Sequence, residues 1–382
     1  MNRVVIVQSV IPNYSMSFFN LLSEELKKNG WELHIIADIH TTVGLNQYRE
    51  CESKFKVTHH IQKSKFNILI DFGLKDIIDN INPKCIIFSG NVRAPFYFYL
   101  MWLYKRKGIT VSSWGMFHRI GGNRFITEQL YRLYSYLSDS ILTYSVRGRN
   151  NLIDLNVNKN KIKVIGTAID ESVPFEHSRY VSLESIKHKK EQYKLDESLV
   201  VIQVVRLSKI KKPSMLIDVA DIIVNKRGFS NVKFILIGDG DLKNEIEKAI
   251  TEKKLTDNCI LLGSIYSEKE LAVWFNIADI YAIPTCIGLG AHHAMAYGLP
   301  IITDNSYLNQ ASEFDIIQNE LNGITYEEGD IEEFADKIIM LLENKEKRDF
   351  LSKNALYTVS NIYNLRNKVN NFMKSIVKCQ YE

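Results

Sequence analysis

Two short stretches bring together residue types that can hold an anion. In V-V-R-L-S-K-I-K-K-P, Arg206 and Lys211 follow an apolar run. A guanidinium forks onto two oxygens and an ammonium acts as a point charge, a combination suited to a diphosphate. In P-T-C-I-G-L-G-A-H-H-A-M-A-Y-G-L-P, residues 284–300, Gly288 and Gly290 stand where a strand gives way to a short helix. With no side chains there, the first helical N–H groups can point at a phosphate. The pattern predicts a pocket for a nucleotide diphosphate at the carboxyl edge of a parallel sheet. A glycine-rich turn that only packs is the alternative.

Three further groups carry possible chemistry. Gly238-Asp239-Gly240-Asp241 reads either as a tight turn or as a pair of carboxylates for a divalent ion. His292 and His293 are helix neighbours about 100° apart, so at most one faces a given crevice and they do not share a metal. In W-G-M-F-H-R, His118 sits in a loop and could act as a base or hydrogen-bond donor, or be incidental. Residues 96–107 end in Lys105, Arg106 and Lys107 after a run of aromatics. They read as a core helix with a basic last turn or as a seat on a bilayer surface.

These residues need a scaffold that places strand ends beside helix starts. Short β-rich runs alternate with amphipathic segments along the whole chain, the pattern of an α/β protein with parallel sheets. Strands are expected at residues 4–9, 32–37, 85–89, 110–113 and 140–143. A second series follows at 200–205, 233–237, 259–262, 279–283 and 300–303. Phe18, Leu21, Leu22 and Leu26 follow helical spacing over residues 17–28, and Gly30 stops that helix. Residues 178–197 read as a solvated helix in the connection. The expected domains are 1–175, 176–360, and a terminal helix within 361–382 that packs back on the first.

Composition limits the classes of function. The 382 residues suit two domains, and 46% apolar content makes them globular. The longest apolar stretch, residues 96–104, is far below the roughly 20 residues that span a bilayer. The opening run at Val4 reads as a buried strand and not as a signal core. Five scattered cysteines suit a reducing cytosol without structural zinc. Charge is asymmetric: residues 1–180 hold 23 Lys and Arg against 15 Asp and Glu, while the whole chain carries +4. A basic first half can meet an anionic surface or an anionic substrate, or be an ordinary solvated face.

Taken in order, the motifs resemble those of the retaining family 4 glycosyltransferases, which have the GT-B fold of two Rossmann-like domains facing a central cleft. The series is Arg206 with Lys211, I-G-D-G ending at Gly240, L-G-S-I ending at Ile265, A-D-I-Y-A-I-P ending at Pro284, and A-M-A-Y-G-L-P-I-I-T-D ending at Asp304. N-G-I-T-Y and E-E-G-D follow, up to Asp330. The resemblance implies that Arg206 and Lys211 stabilise the departing diphosphate, with His118 near the acceptor or the reacting sugar. Donor contacts would come from Gly238, Ile265, Thr285, Gly288, Leu289, Gly290, His293 and Glu313. Tyr14 and Ser17 would lie on the acceptor side. Many members carry two glutamates separated by seven residues where this chain has Thr285 and His293, so His293 reads as a variant donor contact.

The expected activity is transfer of a sugar from a nucleoside diphosphate sugar to a glycan or lipid-linked saccharide, with retention, in surface polysaccharide synthesis. The expected setting is the cytoplasm, with peripheral contact at the inner face of the membrane. No metal, other cofactor or nucleic acid is implied. The alternatives are a non-catalytic sugar-nucleotide-binding subunit and a sugar-nucleotide epimerase.

Overall fold

The computed structural model describes residues 1–39, 53–122 and 124–377. It forms two compact units, one of residues 1–170 completed by the stretch from Leu365, the other Glu171–Asn364. Cys51 and Cys379 lie outside the described residues, and Cys85, Cys259 and Cys286 are buried and form no disulfide with one another.

In the first unit the strands are β1 (Asn2–Val7), β2 (Trp31–Ala37), β3 (Lys56–His59), β4 (Ile61–Lys65), β5 (Ile68–Phe72), β6 (Cys85–Ser89), β7 (Thr110–Gly115), β8 (Ser140–Thr143) and β9 (Ile162–Val164). Its helices are α1 (Met16–Lys28), α2 (Leu74–Ile81), α3 (Pro95–Arg106), α4 (Phe125–Leu137) and α5 (Val146–Asp154). Seven strands pair in parallel in the order β3-β2-β1-β6-β7-β8-β9, while β4 and β5 form a separate antiparallel hairpin. The chain runs outward from β1 to β3 and then returns to β6. Strand order therefore reverses between β1 and β6, which opens a crevice at their carboxyl ends.

The second unit starts with α6 (Ser172–Tyr180) and α7 (Leu183–Gln192). It continues through β10 (Leu199–Val204), α8 (Pro213–Asp221), β11 (Val232–Ile237), α9 (Lys243–Glu252), β12 (Cys259–Gly263) and α10 (Glu268–Ile277). Then come β13 (Ile280–Ala282), α11 (Gly290–Ala296), β14 (Ile301–Asp304), β15 (Gly323–Tyr326), α12 (Ile331–Glu343) and α13 (Lys345–Tyr357). The sheet order β12-β11-β10-β13-β14-β15 is all parallel and reverses between β10 and β13. Val201, Phe234, Ile280 and Ile302 pack on one face; Val200, Ile202, Ile235, Tyr281 and Ile301 pack on the other. Burial on both faces is why these strands read as continuous apolar runs.

Several sequence expectations shift. Residues 178–197 are not one helix: Val181 caps α6 in extended geometry and the Ser182 side chain accepts from Ser185 N to start α7. The first unit ends at Asp170 because α6 packs on α10, with Ser178 and Asn276 hydrogen-bonded, so it belongs to the second. The strands β3, β9 and β15 have only three or four residues each, too few to announce themselves by pattern.

The last helix, α14 (Leu365–Val377), lies on α1 in the first unit. Phe372 meets Phe18 and Trp114 with ring centroids 5.5 and 5.7 Å apart, and Lys368 Nζ lies 4.7 Å from the Phe18 centroid. Full burial of a phenylalanine is worth about 2–3 kcal/mol, so this contact is a substantial part of the unit's core. Among the described residues no helix is long and apolar enough to cross a membrane.

Candidate donor site and its partner residues

Both predicted cations lie after β10, and the glycine loop lies after β13, the two strands between which the second sheet reverses its order. The topology alone thus brings these sequence-distant motifs to one crevice. Lys211 Nζ donates to the carbonyl of Cys286 and lies 3.6 Å from its Sγ; a Cβ built on Gly288 would stand 3.5 Å from that ammonium. Arg206 is exposed and makes no ion pair among the described residues. The amides of Gly288, Leu289 and Gly290 likewise have no hydrogen-bond partner among them. One crevice therefore holds an ammonium, an uncommitted guanidinium and three donor N–H groups.

Side chains from distant parts of the chain hold the loop in shape. Tyr326 Oη donates to the Pro284 carbonyl at 2.6 Å, and Gln310 Oε1 accepts from Ile287 N at 2.7 Å. Gln310 is fully buried; its amide also donates to Asp304 Oδ1 at 2.7 Å and Thr303 Oγ1 at 3.0 Å. Asp304 is 1% exposed, and burial pushes its carboxyl above the ordinary value against the pull of Thr285, Gln310 and Ser306. Thr285 is buried beside that carboxyl, its hydroxyl without an aligned hydrogen bond. Burial also raises the Cys286 thiol, with Lys211 pulling it down and Glu313 and Asp304 pushing it up. Glu313, in the turn at Ser312–Ile316, is thus within electrostatic reach of the loop.

Close approach explains three glycines. A Cβ on Gly238 would fall 1.8 Å from the Val205 carbonyl oxygen, and one on Gly240 would fall 2.4 Å from that of Leu207. These glycines let the turn after β11 lie flat against the turn that carries Arg206. Asp239 accepts from Gly240 N at 2.7 Å, a contact within the turn. Gly290 starts α11 directly over Tyr281, whose hydroxyl donates to Val204 O at 3.0 Å and would sit 2.4 Å from an added Cβ. Gly238 N donates to Gly263 O at 2.8 Å, which ties in the segment bearing half-buried Ile265.

The two helix histidines diverge. His292 is fully buried; His293 turns its Nδ1 to Glu268 Oε1 at 3.5 Å. Tyr297 Oη donates to the same carboxylate oxygen at 3.0 Å. Burial pulls the Glu268 carboxyl up, yet His293 and Tyr297 outweigh it and hold the group below the ordinary carboxylate value. A carboxylate is therefore present beside His293, supplied by α10 and not by the loop. The capping pattern at the start of α10 gave no signal for it, since the i+3 partner of Ser267 is Glu270, whose N–H donates to Ser267 Oγ. Among the described residues no three His, Cys, Asp or Glu side chains cluster as a metal site.

In the first unit His118 follows β7. It is 4% exposed; Nδ1 donates to the Met116 carbonyl at 3.0 Å, and Nε2 has no partner among the described residues. Burial, and then the charge of Arg147, lower its pKa to about 4, so the ring is neutral at pH 7 with its Nε2 lone pair uncommitted. The loop is pinned by Asn151 Nδ2 on Phe117 O at 2.7 Å, and Gly90 admits the Phe117 ring where a Cβ would fall 2.8 Å from it. Tyr14 is 58% exposed in the turn after β1, and Ser17 is half-buried in the first turn of α1. In α3, Tyr97, Leu100, Met101 and Tyr104 are buried, the core-helix outcome, while Tyr99 and Trp102 remain open to solvent.

Known proteins give a consistent comparison. The family described as Glycosyl transferases group 1 matches residues 185–357. The capsular polysaccharide biosynthesis glycosyltransferase CapM of Staphylococcus aureus is 23% identical over 375 residues, 92% of this chain and 93% of that protein. The Escherichia coli UDP-Gal:alpha-D-GlcNAc-diphosphoundecaprenol alpha-1,3-galactosyltransferase is 25% identical over 45% of this chain and 43% of its own. The crystal structure of Anabaena Alr3699/HepE in complex with UDP superposes with a TM-score of 0.75 at 14% identity, covering 99% of this chain and all of that one. Residues 185–357 thus match the glycosyl transferases group 1 family, within a chain that has the two-domain fold of the GT-B glycosyltransferases.

Proposed function

We propose that this protein transfers a sugar from a nucleoside diphosphate sugar to a glycan or lipid-linked saccharide, in assembly of a bacterial surface polysaccharide. The observation that carries the reading is the Lys211 ammonium set against the Cys286–Gly288 loop, beside exposed Arg206 and three free amides. Such a crevice neutralises a departing diphosphate without a metal, because the charge that develops on the leaving group meets donors already in place. The bond between the anomeric carbon and the diphosphate oxygen breaks, the acceptor oxygen forms the new bond, and the acceptor proton leaves with the diphosphate. The UDP complex of the similarly folded Anabaena protein makes uridine diphosphate sugars the first donors to try.

The remaining roles rest on the resemblance to retaining family 4 enzymes. Gly238, Ile265, Thr285, Leu289, His293 and Glu313 are assigned to the donor, and Tyr14 and Ser17 to the acceptor side. His118 is a neutral acceptor of a sugar hydroxyl through Nε2, for which its depressed pKa suits it. In this reading His293 backed by Glu268 stands in for a loop carboxylate. We assign retention of the anomeric configuration and a cytoplasmic setting on the same resemblance.

The test is nucleotide release from a panel of UDP-, GDP- and dTDP-sugars, with and without saccharide acceptors, and NMR of the product's anomeric proton. Absence of both binding and turnover for every donor sinks the proposal, and an inverted anomer sinks retention alone. Thr285 and His293, in place of carboxylates, favour a second reading as a binding subunit. Donor binding with no turnover on any acceptor would select it.

A further inference from the structure

The hairpin of β4 and β5 has two unlike faces. On the inner one Leu69 joins the core, and Asp71 meets His60 at 2.6 Å with both side chains fully buried. On the outer one the register sets Ile61 opposite Phe72, Lys63 opposite Ile70 and Lys65 opposite Ile68. Ile61, Ile68, Ile70 and Phe72 are 40–51% exposed there, and both lysines are exposed. At the tip, Phe66 and Asn67 take positive φ of 50° and 63°, and Phe66 is 87% exposed.

Cations accompany every ring on this ribbon, and its outer face carries no carboxylate. Lys63 Nζ lies 5.8 Å from the Phe72 centroid and Lys65 Nζ 5.7 Å from that of Phe66. Arg93 braces the tip, donating to Asn67 O at 3.1 Å and Ser64 Oγ at 3.2 Å. The neighbouring α3, which packs on β5, repeats the chemistry: Tyr99 and Trp102 are exposed, and the Arg106 guanidinium lies 4.8 Å from the Trp102 centroid.

Size argues against a protein occupant. Five residues at about 3.3 Å each, on two strands about 5 Å apart, give a face of a few hundred Å² at most. A stable protein interface needs about 800 Å² on each side. A bilayer needs no such area, since it wraps an inserted tip, takes aromatic rings at the headgroup level and pairs lysines with anionic lipid. We propose that the β4–β5 hairpin docks the first unit on an anionic lipid bilayer. Phe66 and the Ile68, Ile70 and Phe72 face enter the boundary between headgroups and acyl chains, and Lys63 and Lys65 sit at the phosphates. This contact is independent of the donor site, so nucleotide binding measured without lipid is untouched by its success or failure.

The test is sedimentation of the full chain with vesicles of phosphatidylcholine alone or with roughly one third phosphatidylglycerol. Wild-type protein should bind the anionic vesicles at least about tenfold better, as expected for two or more lysines at the surface. The Lys63→Glu, Lys65→Glu pair should lose at least about 25-fold, roughly fivefold for each lysine removed before the added carboxylates repel the lipid. In Phe66→Trp, emission should be quenched by lipids brominated on the acyl chain more strongly than in wild type, whose own exposed tryptophan is Trp102. Because these side chains are exposed, the melting temperature should not move, which separates lost docking from lost folding. The proposal is overturned if the Lys63→Glu, Lys65→Glu variant binds as wild type, if wild type ignores anionic vesicles, or if brominated lipid quenches Phe66→Trp no more than wild type. It is equally overturned if Phe66→Ala abolishes self-association while vesicle binding persists.

Discussion

The loop at Met116–His118 and the loop at Pro284–Gly290 both follow inner strands of parallel sheets, yet they prepare opposite electrical environments. The second is lined by donors: Lys211 beside the loop, free amides at its end, and Arg206 open to solvent. The first is lined by bulk: Phe117 and Tyr131 meet edge to face at 5.7 Å, and the one imidazole among them is discharged by burial. A sheet edge built on glycine leaves room for an anion to meet backbone. One built on aromatics excludes water and leaves a single neutral lone pair. Two copies of one architecture thus suit a charged leaving group and an uncharged hydroxyl.

The contrast breaks most sharply at Lys211. Lys211→Ala should lower donor-dependent nucleotide release by roughly 10²- to 10³-fold, the usual cost of removing one donor to a developing charge. Single-turnover assays should place the loss in the chemical step, beyond the modest drop in melting temperature from leaving the Cys286 carbonyl without its donor. Next is the glycine that lets the two turns of the donor crevice meet. Gly238→Ala drives a methyl into the Val205 carbonyl and should destabilise the second unit by about 3 kcal/mol in urea unfolding.

The neutral side of the contrast is tested by pH. The folded-state pKa of His118 lies below its unfolded value, near 6.5, so the unfolded chain binds the extra proton first. The stability it contributes is complete above pH 6.5 and is lost as pH falls toward about 4, at about 1.4 kcal/mol per unit. His118→Asn should flatten the fall in melting temperature between pH 6.5 and 5 by the equivalent of about 2 kcal/mol. An unchanged slope means that the ring is not the buried base described. The smallest effect belongs to the loop braces. Tyr326→Phe leaves the Pro284 carbonyl without its hydroxyl and should cost about 1–2 kcal/mol, with weaker donor binding in a thermal-shift titration.

What was legible in the sequence follows from what is local. The buried strands showed as apolar runs, and the glycines of the loop showed as a strand-to-helix turn, so Lys211 and Gly288 could be assigned to one crevice before any contact was known. The braces were not legible. Tyr326 to Pro284, Gln310 to Ile287 and Lys211 to Cys286 join residues 42, 23 and 75 positions apart, and no periodicity encodes such pairs. Glu268 was missed for a related reason: it starts a helix, where a glutamate is ordinary, and only the fold turns it toward His293. The hairpin escaped because its lysines lie on β4 and its isoleucines mostly on β5, and only the strand pairing sets Lys63 beside Ile70 and Lys65 beside Ile68.

The return of α14 to the first unit also sets an order of events at the ribosome. The second unit is one continuous segment and can close as soon as Asn364 has emerged. The first has its sheet made by residue 164 but must wait for Phe372 before the Phe18 and Trp114 rings are covered. At roughly 5–20 residues per second, that leaves about ten to forty seconds with an aromatic face open on the nascent chain. The earlier-made half is therefore the later to finish, and it is the half that a chaperone would need to shield.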